Sequence, residues 1–345
     1  MLKGLALTPP VIGRISIGRV VEKDGRRLPE KDDGFTVTSQ VQGRDGWILH
    51  PLDETLRKKP GAKLRSIPIR LLFDDPALNL RANYSMFDRK TGRPLCIGNG
   101  DTCRRSTPSG MQTFPCPAPE GCELARGGQC KPCGRLNVRI VEAGSVDLAG
   151  VAGTPGGSDE LGSFLFRTTG FNSIRTLSAR LNYFHAVTGG LLSALPLELR
   201  LRGKSTTQSH RAPIYYVDLT VREGMVLADA VRAAQAEKEA RRESGFDQTA
   251  LDEAARRGFA QGAFEESEEE GAAVVDEFFP SEPLERRSNA AEPGRTGEKV
   301  NLAGKLARLA AADGGSEGSN DHGNAADAPV ALGKQREGVH SHGSA

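Results

Sequence analysis

Residues 164–190 decide the fold and read FLFRTTGFNSIRTLSARLNYFHAVTGG. The first four residues predict a strand, and residues 168–173 predict a turn that supplies the N-cap of a helix. The helix is indicated by apolar residues at helical spacing, which are Ile174, Leu177, Leu181, Phe184 and Val187. Gly189 and Gly190 follow, and glycine readily adopts the left-handed conformation that ends a helix. Because His185 lies beside the apolar face, we expect its side chain to be buried or half-buried.

Two further strands follow the helix and complete a β-α-β-β unit. Their alternating apolar residues are Leu197, Leu199 and Leu201 in the first strand and Tyr215, Val217, Leu219 and Val221 in the second. Short connections between such elements favour antiparallel pairing, with the helix packed on one face. We therefore predict an α+β fold, built from an antiparallel sheet with a packed helix.

Strand patterns also precede this unit and extend the predicted α+β body over residues 1–222. They lie at residues 15–20, 35–38, 67–74, 84–87 and 136–140. A turn is predicted at Asp24-Gly25, and residues 84–87 are predicted to pair with the approach to Cys96 across a turn at residues 90–92. The Gly-rich residues 144–160 are predicted to form a loop.

A cysteine-rich segment lies between two of these strands. All six cysteines of the chain fall in it, and they are Cys96, Cys103, Cys116, Cys122, Cys130 and Cys133. The segment is rich in Gly, Pro and polar residues, so it cannot fold around an apolar core of its own. We therefore expect an insertion at about residues 96–133 that interrupts the sheet and is held by a metal ion or by disulfides.

The residue pattern favours a structural zinc ion over disulfides. Cys130 and Cys133 have the two-residue spacing of a zinc knuckle. Disulfides need an oxidising compartment, and the N-terminus has neither the apolar region nor the cleavage site of a signal peptide. No histidine lies between His50 and His185, which favours a closed structural site over a hydrolytic one. Disulfides and unrelated buried thiols are the alternatives, and the choice of four ligands among six cysteines stays open.

Charge is divided unevenly along the chain. Residues 1–222 hold 32 Lys and Arg against 20 Asp and Glu, whereas residues 223–345 hold 14 against 24. A basic body with an acidic tail suits a protein that meets nucleic acid, although a solubilising tail would give the same balance. The basic residues of the β-α-β-β unit that could contact phosphates are Arg167, Arg175, Arg180, Arg200, Arg202 and Lys204. The alternative is a solvated polar face opposite the core.

The composition changes after Arg222. Residues 223–280 are predicted to be a helical, acidic segment with helices at residues 225–244 and 249–264. Within it, residues 268–280 join acidic side chains to an aromatic pair. Such a segment could dock into a basic, apolar pocket of a partner or pack back on its own body.

The remainder of the chain differs from a folded domain. Residues 281–345 have few large apolar residues, so they are predicted to be disordered, apart from a short helix at residues 300–311. No apolar run is long enough to cross a membrane. We therefore expect a cytoplasmic protein.

Five motifs occur in a fixed order along the body. They are Cys96-x-Gly98-x-Gly100, Cys130-Lys131-Pro132, Gly134-Arg135-Leu136, FRTTGFNSI at residues 166–174, and Leu195-Pro196-Leu197-x-Leu199. This order resembles the recombination directionality factor-like family of phages and integrative elements. Some proteobacterial members of that family are described as hydrolases or metal-binding proteins. The resemblance leaves the C-terminal region outside.

The resemblance implies an accessory, non-enzymatic role in site-specific recombination. Phage members bind a large serine integrase and redirect it from integration to excision. By the same resemblance, the zinc ligands are Cys96, Cys116, Cys122 and Cys130, with Cys103 and Cys133 as alternates. The expected partner is therefore an integrase–DNA complex of a bacterial mobile element, with direct DNA contact as a further expectation. The alternatives are a single-stranded-DNA-binding or DNA-maintenance protein of the same element and, last, a metal-dependent hydrolase.

Overall fold

The structure, a computed structural model, covers most of the body and the helices that follow it. It describes residues 10–23, 26–43, 46–57, 59, 61–141, 162–205, 207, 213–261 and 268–279. The predicted turn at Asp24-Gly25, the loop at residues 144–160 and the tail at residues 281–345 lie outside the described residues.

Strands outnumber helices in the described residues. The strands are β1 (Val11–Lys23), β2 (Arg26–Gly43), β3 (Gly46–Leu49), β4 (Ser66–Leu71), β5 (Leu80–Phe87), β6 (Pro94–Gly98), β7 (Thr102–Thr107), β8 (Gly110–Pro115), β9 (Lys131–Ile140), β10 (Ser163–Thr168), β11 (Leu197–Lys204) and β12 (Ile214–Val221). The helices are α1 (Pro51–Thr55), α2 (Pro76–Asn79), α3 (Ala118–Gly121), α4 (Phe171–Thr188), α5 (Leu227–Glu243), α6 (Gln248–Gln261) and α7 (Glu268–Phe278), with a one-turn 3₁₀ helix at Glu123–Ala125.

The strands form one sheet that branches at β9. The main path runs β3-β2-β1-β10-β9-β5-β6-β7-β8. Besides β10, β9 pairs with β5 over residues 131–136 and with β4 over residues 138–140. β4 in turn pairs with β11, and β11 pairs with β12. Among the described strands every pairing is antiparallel except that of β1 with β10, which confirms a mixed α+β fold with a mostly antiparallel sheet.

The main core lies between this sheet and α4. Alternation on β11 and β12 points Leu199, Val217 and Leu219 inward, where each is fully buried. α4 adds Leu177 and Leu181 to the same cluster. Burial of one such side chain stabilises the fold by roughly 1.5–3 kcal/mol, so this region dominates the stability of the sheet.

The predicted strand–turn–helix unit is present as β10 followed by α4. The helix begins after Gly170, within the predicted turn, and this N-cap makes no side-chain hydrogen bond. It ends at Gly189, whose φ of 64° is the left-handed conformation expected of a terminal glycine. The boundaries of the helix are therefore those that its flanking glycines dictate.

The predicted apolar face of α4 is buried at Leu177, Leu181 and Phe184 and differs from the prediction at its C-terminal end. Val187 is 43% exposed, and His185 is exposed as well, so the predicted burial of these two side chains is wrong. Two hydroxyl residues occupy the ends of the buried face instead. Ser173 Oγ accepts a hydrogen bond from the Val217 amide (3.1 Å), and Thr188 Oγ1 donates one to the Phe184 carbonyl (2.7 Å).

The cysteine-rich segment continues the sheet, so its predicted interruption is wrong. β6, β7 and β8 add to β5 one after another. The predicted pairing across residues 90–92 is confirmed, because Met86 lies opposite Cys96. Within this fully described stretch, residues 116–130 leave the sheet and form α3 and the 3₁₀ turn. These strands lack apolar alternation. Backbone hydrogen bonds hold them in the sheet, with β6 paired to β5, β7 to β6 and β8 to β7.

The helices predicted after Arg222 are present as α5 and α6. α5 buries Ala230 and Ala234 against the main core. α6 buries Ala255 in a second cluster with residues of the β4–α2 connection. In the part of the chain that the structure describes, no helix is both long and apolar enough to span a membrane.

Candidate functional site

The cysteine lobe, residues 94–130, places two thiols on one face of the sheet. Cys96 on β6 lies opposite Arg105 on β7, and Gly98 lies opposite Cys103. Opposite residues of paired strands point to the same face, so Cys96 and Cys103 share a face with Arg105. Burial is the largest cause that raises the pKa of Cys96, and Cys103 contributes to the increase.

Cys116 joins this face because the chain turns directly after β8. Its amide donates a hydrogen bond to the Asp101 carbonyl (2.8 Å), in a turn where Asn99 Oδ1 accepts from the Asp101 amide (2.9 Å). A Cβ atom at Gly98 would lie 2.7 Å from Cys116 Sγ and 2.7 Å from Cys103 Cβ. Gly98 is therefore required for the close approach of these two side chains.

Cys122 and Cys130 complete a group of five neighbouring thiols. Cys122 follows α3 as its C-cap, and Cys130 directly precedes β9. Burial, followed by the charges of Cys96, Cys116 and Cys122, raises the pKa of Cys130 to about 11, and Cys103 adds a smaller effect. Burial and the neighbouring thiols therefore disfavour deprotonation of Cys130, whereas a bound cation would favour it.

Cys133 lies apart from the other five cysteines. It is opposite Asn83 on β5, whereas Cys96 is opposite Met86 on the same strand. Asn83 and Met86 are three residues apart, so they point to opposite faces of the sheet. Cys133 packs with the apolar cluster that includes Val274 of α7.

The chemistry of the five thiols suits a soft divalent cation. All six cysteines lie in the described residues, and none forms a disulfide. Over the described ranges, no group of three or more Cys, His, Asp or Glu side chains has a ready metal-binding arrangement. The donor set nevertheless fits a zinc ion by its composition, since closely spaced thiols are the preferred ligands of structural zinc.

The opposite face of the sheet carries a row of three arginines. Arg135 on β9 lies opposite Arg81 on β5 and also opposite Arg167 on β10. Neighbouring strands are about 4.8 Å apart, so the row brings three positive charges together. The sequence pattern predicted a contact role for Arg167 but not for Arg81 or Arg135, because the row exists only through the pairing of three strands that are distant in sequence.

A cavity of about 480 Å³ lies over this arginine row. Its floor includes the row and also Arg104 of β7. Its cover includes Phe259 of α6, whose ring centre lies 4.3 Å from Arg81 Cζ, and residues of α7. The polar, uncharged residues of its lining are Asn83, Ser85, Asn99, Thr102, Thr113, Thr168 and Thr169.

Four of the other predicted contact residues have partners within the chain. Arg180 Nε and Arg202 Nε donate to the two carboxylate oxygens of the buried Asp218 at 3.0 and 2.6 Å. Arg200 Nε donates to Glu198 (2.8 Å), and Lys204 Nζ donates to Asn172 (2.8 Å). The remaining residue of this group, Arg175, is exposed on α4.

Asp218 is the buried acid that this basic group shares. Burial raises the pKa of Asp218, but the hydrogen bonds and charges of Arg180 and Arg202 outweigh this effect. The net result is a pKa below the ordinary range of an aspartate. The surface formed by α4 and β11 is therefore less positive than its count of basic residues indicates.

The acidic-aromatic segment packs on its own body as α7. Val274, Val275 and Phe279 are buried against Phe87 of β5, with ring centres of the two phenylalanines 5.5 Å apart. Lys131 Nζ donates a hydrogen bond to the Phe278 carbonyl (2.8 Å). Of the two alternatives for this segment, the structure shows packing on its own body, with its aromatic side chains in contact with β5 and β9.

Comparison with known proteins identifies the family of the body. No curated protein and no solved structure matches the chain. A family model described as Gp3-like, recombination directionality factor-like, matches residues 12–222. The match begins in β1 and ends just after β12, so it includes almost the whole sheet, the cysteine lobe and the arginine row, but not the helices that cover the row. The chain therefore belongs to the Gp3-like, recombination directionality factor-like family.

Proposed function

We propose that this protein is a non-enzymatic recombination accessory factor of a bacterial mobile element. In this proposal it acts in the host cytoplasm by binding an integrase–DNA complex and changing the direction of recombination. The observation that carries the proposal is the family match over residues 12–222, which spans almost the whole sheet. The role thus belongs to the body rather than to the C-terminal helices.

We further propose that a structural zinc ion fixes the cysteine lobe. Cys96, Cys116, Cys122 and Cys130 would hold it, since the first three are the thiols with the largest effects on the pKa of Cys130. Zinc would supply folding free energy to a segment with little apolar core. In this proposal the lobe becomes a rigid surface that the integrase can recognise.

The central proposal is tested by a recombination assay with purified components. The integrase of the same element would be incubated with attachment-site DNA, with and without this protein. We expect the protein to promote excision or to inhibit integration, and to have no activity without the integrase. Unchanged recombination in both directions, at saturating protein, would contradict the proposal.

A second candidate is a single-stranded-DNA-binding or DNA-maintenance protein of the same element. The row formed by Arg81, Arg135 and Arg167 favours it, because arginines on a sheet face are suited to phosphate contact. Gel shifts without integrase, at two salt concentrations, separate the two candidates. Tight binding to single strands that weakens with salt supports the second, whereas binding that requires the integrase supports the first.

A further inference from the structure

The arginine row is covered by a helix that lies outside the family match. α7 spans Glu268–Phe278, whereas the match ends at residue 222. Val274 and Phe278 of this helix line the cavity above the row. A basic pocket of the family body is therefore partly covered by elements from the C-terminal region of this chain.

We propose that the arginine-lined cavity binds phosphate groups and that α7 limits access to it. Two sources carry this chemistry, which are free phosphate compounds and the backbone of single-stranded DNA. A small phosphate compound would enter with α7 in place, whereas a DNA strand would require α7 to move aside. The site needs no integrase, so it stands independently of the recombination role.

The charges of the floor match an anion. Arg81, Arg135 and Arg167 face one another across paired strands, and like charges in that arrangement repel. Arg81 also donates a hydrogen bond to the neutral amide oxygen of Asn137 (2.9 Å). A bound phosphate would offset the repulsion and could accept paired hydrogen bonds from the planar guanidinium groups.

The remaining lining and the volume also suit a phosphate compound. Arg104 supplies a fourth positive charge from β7, and Ser85 and Thr168 are among the hydroxyl side chains of the lining. Hydroxyl groups donate hydrogen bonds to phosphate oxygens, so they complement the arginines. A cavity of about 480 Å³ falls within the size range of small-molecule sites.

α7 brings a carboxylate of its own towards this floor. Glu277 is half-buried and lies within the electrostatic influence of Arg167 and Arg14. Burial raises the pKa of Glu277, and the two arginines oppose this effect without cancelling it. Glu277 is therefore an acidic side chain of α7 under the influence of Arg167, with which a phosphate of a DNA strand would compete.

α7 contacts the turn between β5 and β6 through two glycines that lie close together. A Cβ atom at Gly271 would overlap the backbone of Gly92, in the turn between β5 and β6, and a Cβ atom at Gly92 would overlap the backbone of Ala272. Any side chain at Gly271 must therefore move the helix or the turn. Gly271→Leu is accordingly a variant that displaces α7 without touching an arginine.

The test measures two ligands on the full-length chain without integrase. Inorganic phosphate is titrated by calorimetry, and a fluorescein-labelled single-stranded oligonucleotide is titrated by fluorescence anisotropy. The variants are Arg135→Gln in the row, Arg104→Gln at an exposed position of the lining, and Gly271→Leu in the helix. Arg175→Gln is the matched control, because it removes the same charge from an exposed site on α4.

We expect Arg135→Gln to weaken phosphate binding roughly tenfold, as the loss of a charged hydrogen bond does, while Arg175→Gln leaves it unchanged. Arg104→Gln should weaken phosphate binding less. If Arg135→Gln does not fold, Arg104→Gln is the variant that tests whether the cavity binds phosphate. If the source is a DNA backbone, Gly271→Leu raises oligonucleotide affinity several-fold. If the source is a free phosphate compound, Gly271→Leu leaves oligonucleotide affinity at the wild-type level while phosphate binding still depends on Arg135.

Two results would overturn the proposal. One is the absence of binding of either ligand to both the wild-type chain and Gly271→Leu. The other is an equal loss of affinity in the variants at Arg135, Arg104 and Arg175, since this would indicate attraction by net charge alone.

Discussion

The cysteine lobe and the centre of the sheet are stabilised by different forces. In the centre, the fully buried side chains include Leu136, Leu197, Leu199, Val217 and Leu219. Within residues 94–130, all of which the structure describes, the buried apolar side chains are Cys103 and Ala125. Apolar burial therefore holds the centre, whereas the lobe relies on strand pairing, to which the proposed zinc ion would add.

One continuous sheet can therefore contain two regions of unequal local stability. A region with few buried apolar contacts opens at a lower free energy than the core. A metal bound to the thiols would raise that free energy, because metal binding and folding are coupled. Metal removal should therefore affect the lobe, and loss of core volume should affect the whole sheet.

The largest expected effect comes from removing two proposed zinc ligands at once. In the Cys116→Ser/Cys130→Ser variant, we expect bound zinc to fall from about one ion per chain to none. The lobe would lose on the order of 10 kcal/mol of metal-binding free energy. Its amides should then exchange rapidly with solvent, while those of β9 to β12 stay protected. Elemental analysis and hydrogen exchange measure the two effects.

Cys133→Ser is the matched control for this prediction. Its thiol lies on the opposite face of the sheet and packs with the α7 cluster, so we expect normal zinc content. Loss of zinc in Cys133→Ser, or a wild-type protein purified without zinc and unable to bind it, would contradict the ligand set. In either case the lobe would need a different explanation for its stability.

The second largest effect is expected from a cavity in the centre. Leu199 is fully buried on β11, so Leu199→Ala should lower the free energy of unfolding by about 2–5 kcal/mol. Zinc content per folded chain should not change. Leu124→Ala, at a position 49% exposed within the lobe, should have almost no effect on global unfolding. Denaturant titration measures the free energy of unfolding of both variants. A similar decrease in Leu199→Ala and Leu124→Ala would show that the two regions unfold together.

The contrast also explains which parts of the fold could be predicted from the sequence. Alternation predicted β4, β9, β11 and β12, because apolar periodicity records burial on one face. The same signal is absent from β6 to β8, where each strand pairs with the strand before it and few side chains are buried. The predicted burial of His185 and Val187 was wrong because two polar residues, Ser173 and Thr188, occupy the ends of the buried face of α4. Each is held there by a hydrogen bond.

The candidate sites show the same limit. The cysteines were visible in the sequence, because one residue type clustered in one segment. The arginine row was not, because Arg81, Arg135 and Arg167 come together only through the register of β5, β9 and β10. A partial signal was present, since Arg135 and Arg167 each stand beside apolar residues in a predicted strand. That these arginines are neighbours follows from the pairing of strands that are distant in sequence. The periodicity within one strand carries no information about that pairing.

A smaller effect is expected from the buried acid at the edge of the core. Asp218→Asn removes the charge that Arg180 and Arg202 share, and we expect a loss of about 1–2 kcal/mol at neutral pH. Both arginines are partly exposed, which keeps the loss below that of a fully buried ion pair. The measurement is the free energy of unfolding as a function of pH.

The pH dependence of this difference identifies its cause. The pKa of Asp218 is lowered in the folded state, so its stabilisation is complete above the unfolded pKa of about 3.9. It is lost as the pH falls through the lower, folded pKa. The two proteins should therefore become equally stable only at the acidic end. A difference that stays constant from pH 7 to pH 2 would assign the effect to packing instead. Glu239→Gln, at an exposed ion pair, should show no measurable change.

The smallest effect is expected where α4 ends above the core. Gly189 has a φ of 64°, and an added Cβ atom would meet nothing within 4 Å. Gly189→Ala should therefore lower the free energy of unfolding by about 1 kcal/mol, through backbone strain alone. Because this free energy is lost from the helix that packs on β12, it should appear in global unfolding and leave hydrogen exchange in the cysteine lobe unchanged. Gly189→Asn should lower the free energy of unfolding by less, since asparagine tolerates the left-handed conformation better than alanine. Equal losses in the two variants would exclude strain as the cause, and faster exchange within the lobe would show that α4 and the lobe are coupled.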